Sequence, residues 1–133
     1  MFQEFDFATG KTVDPRHRQV VIILNDAADA DSLQQQLRQK SYPVRGNTTD
    51  LREGLALVAK NKLGILFLDA DLNDVDVIDL MGKIQTPFPG FKIIVVTANA
   101  TKELLAQVMK KGAAGFLVKP LDQEAVVAVL ERL

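Results

Sequence analysis

The sequence predicts an α/β fold, a doubly wound parallel sheet of five strands with helices on both faces, (βα)5. Three observations carry that expectation: five apolar runs rich in β-branched residues, helix-length segments with one apolar face between and after them, and capping residues at the junctions. The runs are Val20 to Leu24, a weaker Pro43 to Thr48, Leu63 to Leu68, Ile93 to Thr97 and Gly115 to Val118. Three of them are apolar throughout, without polar alternation, as strands covered on both faces must be. Leu33 with Leu37 marks a helix after the first run, and Leu51, Leu55 and Val58 share a face after the second. Val77, Leu80, Met81 and Ile84 follow i, i+3, i+4, i+7, as do Val126, Val129, Leu130 and Leu133, while Leu104, Leu105, Val108 and Met109 mark the helix before the last strand. Asp50 with Glu53 fits a capping box, Thr101 and Asp122 stand at N-cap positions, and Gly112 after "MKK" is a C-terminal stop. Right-handed crossovers then place any site at the carboxyl edge of the strands, near the topological switch point.

At 133 residues the chain fits one domain, since domains cluster near about 100 to 150 residues. A composition of 47% apolar and 25% charged residues with net charge -1 offers no broad attraction for nucleic acid, so direct nucleic-acid binding is not expected. Without cysteine there is neither a disulfide framework nor a thiolate metal site. The longest apolar runs are too short to span a bilayer and "MFQEFDF" is acidic where a signal peptide would be basic, so no membrane association and a cytoplasmic location are expected. Residues 1 to 18 fall outside the strand and helix pattern and read as a loosely ordered extension before a domain of residues 19 to 133. Phe2, Phe5 and Phe7 suit an alternative in which the extension is an arm docking on its own domain or a neighbour. His17, the only histidine, is expected to be solvated.

The residues that end the predicted strands form a chemical set. The first strand ends in Asn25-Asp26, the third in Asp69, the fourth in Thr97 and the fifth in Lys119-Pro120. Two carboxylates, a hydroxyl and an ammonium meeting at one rim suit a hard, oxygen-seeking cation and a phosphoryl group. Each alone has a plain structural explanation: Asp26 or Thr97 as a cap, Lys119 as a surface charge. Their joint placement at the relevant strand ends is what makes the set specific.

In these residues, and in the stretch "GAAGFLVKPLD", the chain resembles the receiver domains of two-component response regulators over about residues 19 to 133. The resemblance implies the flavodoxin-like receiver fold and a phosphoacceptor switch rather than an enzyme, which at most catalyses its own phosphoryl transfer and dephosphorylation. Asp69 would accept a phosphoryl group from a histidine kinase or phosphotransfer protein. Mg2+ (or Mn2+) would bind through Asp26, Asp69 and the main-chain carbonyl of Asp71, with waters completing six oxygens. Lys119 and Thr97 would each hold a phosphoryl oxygen. Thr97 and Phe116 would be the switch pair, moving inward and remodelling the face of the fourth helix, fifth strand and fifth helix. That face would control an attached output domain or a target protein, and a homodimer through it is compatible with the sequence. Lys119-Pro120 would be a cis peptide.

Several residues depart from the family pattern. Asn25 replaces the first acid of the pair, an outer-shell change expected to weaken metal binding by about 10- to 100-fold. Asn73 stands where Pro is frequent and Val77 where Gly is common, and Asp71 and Asp74 add negative charge to the same loop. Phe116 lacks the hydroxyl that many relatives carry there. Asn25 and the altered loop support a second reading, a pseudo-receiver that binds partners without phosphorylation, which the retained Asp26, Asp69, Thr97 and Lys119 oppose. A remote third reading rests on Asp69-Ala70-Asp71, which resembles the nucleophile motif of haloacid-dehalogenase-like phosphatases. That motif belongs on a first strand, and here an acid precedes it. A dinucleotide site is excluded because "NDAADAD" after the first strand has no glycine and is acidic where a pyrophosphate would lie. The chain is expected to be either a stand-alone receiver or a fragment of a longer regulator.

Overall fold

The computed structural model describes residues 4–6, 11–13 and 15–133. The strands are β1 (Glu4–Asp6), β2 (Lys11–Val13), β3 (Val20–Ile23), β4 (Val44–Thr48), β5 (Leu63–Asp69), β6 (Gly90–Thr97) and β7 (Gly115–Val118). The helices are α1 (Ala27–Gln39), α2 (Leu51–Asn61), α3 (Val77–Gln85), α4 (Lys102–Lys111) and α5 (Gln123–Glu131). Strands β3 to β7 form one parallel sheet in the order β4-β3-β5-β6-β7. The order reverses between β3 and β5, so their carboxyl ends flank the switch point.

Successive strand residues point to opposite faces, and both faces are covered. Val20, Ile22, Ile65, Phe67, Ile94, Val96 and Leu117 pack with Leu33 and Leu37 of α1 and Val126, Val129 and Leu130 of α5. Val21, Ile23, Leu66, Leu68, Ile93 and Val95 pack with Val58 of α2, Leu80, Met81 and Ile84 of α3 and Val108 of α4. The unbroken apolar runs thus have a physical cause: no strand position at the sheet centre faces water. Helix α2 comes close to β3 at Gly54, where a Cβ would collide with the Ile23 side chain. Gly112 ends α4 with φ 105°, the left-handed conformation that glycine adopts without steric cost.

Differences from the sequence expectation lie at the edges. Asp50 caps α2 by accepting from the Arg52 and Glu53 amides, but its own N–H donates to Thr48 Oγ1 at 3.0 Å rather than to Glu53, so the reciprocal half of the box is replaced. β6 begins three residues earlier than its β-branched core, at Gly90. The extension is not without regular structure: β1 and β2 pair antiparallel with Glu4 opposite Val13, and a 3-10 turn, Pro15–Arg18, leads into β3. Three-residue strands are too short to show a period in sequence. Phe2 and Phe7 lie outside the described residues, and with them the expected docking of the aromatic arm. His17 is exposed. Among the described residues no helix is long and apolar enough to cross a membrane.

Candidate functional site

Asp69 is the last residue of β5, the central strand, and is 1% exposed. Burying a carboxylate there is costly unless donors converge on it. Three do. Oδ2 accepts from the Lys119 ammonium at 2.7 Å and from the Asn25 main-chain N–H at 2.9 Å, and Oδ1 accepts from the Asp71 main-chain N–H at 2.8 Å. Each comes from a different chain segment, and the parallel register is what gathers them at one edge.

Lys119 follows β7, its N–H donating to the Thr97 carbonyl at 2.9 Å, which fixes where its side chain starts. That side chain is 11% exposed, and Nζ also donates to Asn25 Oδ1 at 2.8 Å. The Lys119–Pro120 peptide is cis. Asn25 reaches the other way as well, Nδ2 lying 3.5 Å from the Asp71 carbonyl oxygen. The amide therefore spans the cation of Lys119 and the main chain of the β5–α3 loop.

Thr97 ends β6 and is fully buried. Its hydroxyl donates to Asp71 Oδ1 at 2.8 Å and accepts from the Asn99 N–H at 3.0 Å. The Ala98 N–H donates to Asp71 Oδ2 at 2.7 Å. Both oxygens of Asp71 are thus held by the end of β6. The loop that carries Asp71 turns at Asp74, whose φ of 58° is left-handed, a region that Asp tolerates better than most residues. Phe116 lies on β7 opposite Val95 of β6, half-buried against the cluster on the α2–α4 face that Leu104 also borders.

Asp26 is adjacent to the network rather than within it. It is exposed, and its Oδ1 caps α1, accepting from the Ala28 N–H at 2.8 Å and the Asp29 N–H at 3.1 Å. Sequence reasoning weighed that cap against metal binding, and the structure shows the cap. It did not foresee the Asp71 side chain bridging to Thr97 and Ala98, because a carboxylate in a loop carries no periodic signal. Its only signature is the spacing of two from Asp69.

Among the described residues no group of three or more His, Cys, Asp or Glu side chains is arranged to hold a metal. The oxygens on offer are the Asp69 carboxylate, the Asp71 carbonyl and the adjacent Asp26 carboxylate, and within the network two carboxylates, Asp69 and Asp71, stand against the single ammonium of Lys119. Hard oxygens with an excess of negative charge fit Mg2+, which takes few protein ligands and keeps several waters. The fit requires the Asn25 amide to leave the Asp71 carbonyl.

The profile of the response regulator receiver domain matches residues 20–131. The chemotaxis protein CheY of Thermotoga maritima is 30% identical over 114 residues, which cover 85% of this chain and 95% of that protein. The transcriptional regulatory protein ZraR of Escherichia coli K12 is 26% identical over 113 residues, 85% of this chain but only 25% of the relative. The chain therefore spans nearly all of one relative and about a quarter of the other. Among solved structures, a response regulator from Burkholderia pseudomallei with a phosphorylated aspartic acid, calcium ion and citrate superposes with a TM-score of 0.74 at 26% identity, covering 84% of this chain and 65% of that one. Asp69-Ala70-Asp71 begins at the last residue of the third strand of the parallel sheet, not at the end of the first as a haloacid-dehalogenase-like motif would. By its strand order, by the residues at its strand ends and by these matches, the chain belongs to the response regulator receiver domain family of two-component signalling.

Proposed function

We propose that Asp69 is the phosphoacceptor of a two-component phosphorelay and that the domain works as a switch driven by its phosphorylation. The observation that carries this reading is a buried carboxylate at the switch point, ion-paired to Lys119 and held by two main-chain N–H groups. A carboxylate oxygen of Asp69 bonds to phosphorus as the bond from phosphorus to a donor imidazole nitrogen breaks. The electron pair leaves with the imidazole, which takes up a proton. Lys119, on a flexible stem, follows the charge from Asp69 to a phosphoryl oxygen, and Thr97 and the Ala98 N–H receive another. A divalent cation held by Asp69, Asp26 and the Asp71 carbonyl would supply neutralisation of the transferring oxygens.

The phosphoryl donor is a histidine kinase or phosphotransfer protein. The output surface is the face of α4, β7 and α5, where Leu105, Met109 and Val118 are 42%, 46% and 49% exposed. Side chains of that size left in water suit a partner, an output domain or a second copy. Residues 1–18 stand as an extension to a receiver of residues 19–133.

The reading is tested by incubating the protein with Mg2+ and phosphoramidate or acetyl phosphate and measuring intact mass. One phosphoryl group should add to the wild type and none to Asp69→Asn. Asn25 and the self-paired network favour a second reading, a pseudo-receiver that binds its partner constitutively. No mass gain, together with no Mg2+ binding by titration, would establish that reading instead.

A further inference from the structure

The Asp71 side chain has no role in the reading above, yet it makes the two contacts that the reading assigns to a phosphoryl oxygen. Its Oδ1 takes the Thr97 hydroxyl at 2.8 Å and its Oδ2 the Ala98 N–H at 2.7 Å. Both are hydrogen bonds to an ionised acceptor, the stronger kind. The main chain of the same residue is tied to the acceptor, the Asp71 N–H donating to Asp69 Oδ1 at 2.8 Å. The Ala70 N–H donates to the Val96 carbonyl at 2.8 Å, so the exits of β5 and β6 stay side by side and the donors at Thr97 and Ala98 face the loop that follows Asp69.

We infer that the Asp71 carboxylate is a built-in anion that occupies the Thr97 hydroxyl and the Ala98 amide in the resting protein, and that an anion bound on Asp69 must displace it. The inference rests on the phosphoacceptor reading of Asp69. Thr97 is fully buried, so its hydroxyl proton has no solvent to turn to, and Asp71 gives it an acceptor. The hydroxyl is thereby oriented before any phosphoryl group arrives. An arriving anion gains these donors only in the fraction of molecules where Asp71 has swung away, and its apparent affinity is lowered by that fraction. Asp71 is a positioning residue, acting on the reaction through Thr97 and Ala98.

The test uses the full chain, isotope-labelled for NMR, with Mg2+ and beryllofluoride as a noncovalent mimic of the phosphoryl group. Without beryllofluoride, the Ala98 amide proton of the wild type should resonate far downfield and exchange slowly. In Asp71→Ala it should move upfield and exchange faster. Beryllofluoride should bind Asp71→Ala about tenfold more tightly than wild type, the effect of freeing donors held by a charged group. Asp71→Asn removes the charge but leaves one acceptor oxygen, and should fall between the two. Equal gains for Asp71→Asn and Asp71→Ala, with the Ala98 resonance unmoved, would reduce Asp71 to a repelling charge and overturn the inference. Equal affinity of wild type and Asp71→Ala overturns it too, leaving the phosphoacceptor reading intact. Binding to neither protein, or undiminished binding to Asp69→Asn, removes the phosphoacceptor reading, and the proposed displacement falls with it.

Discussion

Asn25 shows how one amide can serve a site in which an acid is usual. Its Oδ1 accepts from Lys119 and its Nδ2 lies against the Asp71 carbonyl, so the side chain offers an acceptor to the cation and a donor to the main chain. A carboxylate would place an oxygen against that carbonyl oxygen and would need a cation between them. Asn25→Asp is therefore expected to lower the melting temperature of the metal-free protein and to tighten Mg2+ binding by about 10- to 100-fold, both read by thermal melts across a Mg2+ series. Asp26 calls for a different substitution, because its carboxylate caps α1. Asp26→Ser keeps a capping oxygen and loses the charge. It should leave the metal-free melting temperature nearly unchanged while weakening Mg2+ binding, whereas Asp26→Ala should also lose about 1 kcal/mol of stability in urea unfolding. A drop in stability for Asp26→Ser equal to that of Asp26→Ala would mean that the cap contributes nothing.

Among the elements, α2 and β3 are fitted most closely. Gly54 faces the Ile23 side chain on a helix that the Asp50 cap and the left-handed Lys62 bound at either end. Gly54→Ala would raise helix propensity on an open surface. Here the added methyl must push against β3, and a net loss of about 1 to 3 kcal/mol is expected in urea unfolding, the cost of overpacking. Helix gain without stability loss would show that β3 yields freely. The elements were also where the sequence was most readable. Strands β3, β5 and β6 announced themselves because both of their faces are buried, and the caps at Asp50, Thr101 and Asp122 because each stands just before an apolar face. The strand-end residues Asp69, Thr97 and Lys119 were legible for the same reason, lying where an apolar run stops. β1 and β2 were not, being three residues each. Nor was the bridge from Asp71 to Thr97, which depends on the path of a loop turning at Asp74 and not on any repeat.

At the scale of the whole molecule, stability resides in two apolar layers separated by the sheet, with α1 and α5 on one side and α2, α3 and α4 on the other. Phe67, fully buried in the first layer, is the largest side chain of the central strand. Phe67→Ala should cost about 3 to 5 kcal/mol, seen as a lower urea midpoint. A loss below about 1 kcal/mol would mean that the layer collapses around the cavity. The strand order has one further consequence. β5 is bonded to β3 on one side and β6 on the other, and Asp69 closes it, whereas β4 and β7 are the sheet's edges. Openings that free an edge strand or fray α4 do not expose the amides from Ile65 to Leu68, which should exchange with deuterium only when the entire domain unfolds. The carboxylate proposed to carry the signal thus ends the strand expected to be the last to exchange, while the exposed face proposed to be read by a partner lies at the β7 edge of the sheet.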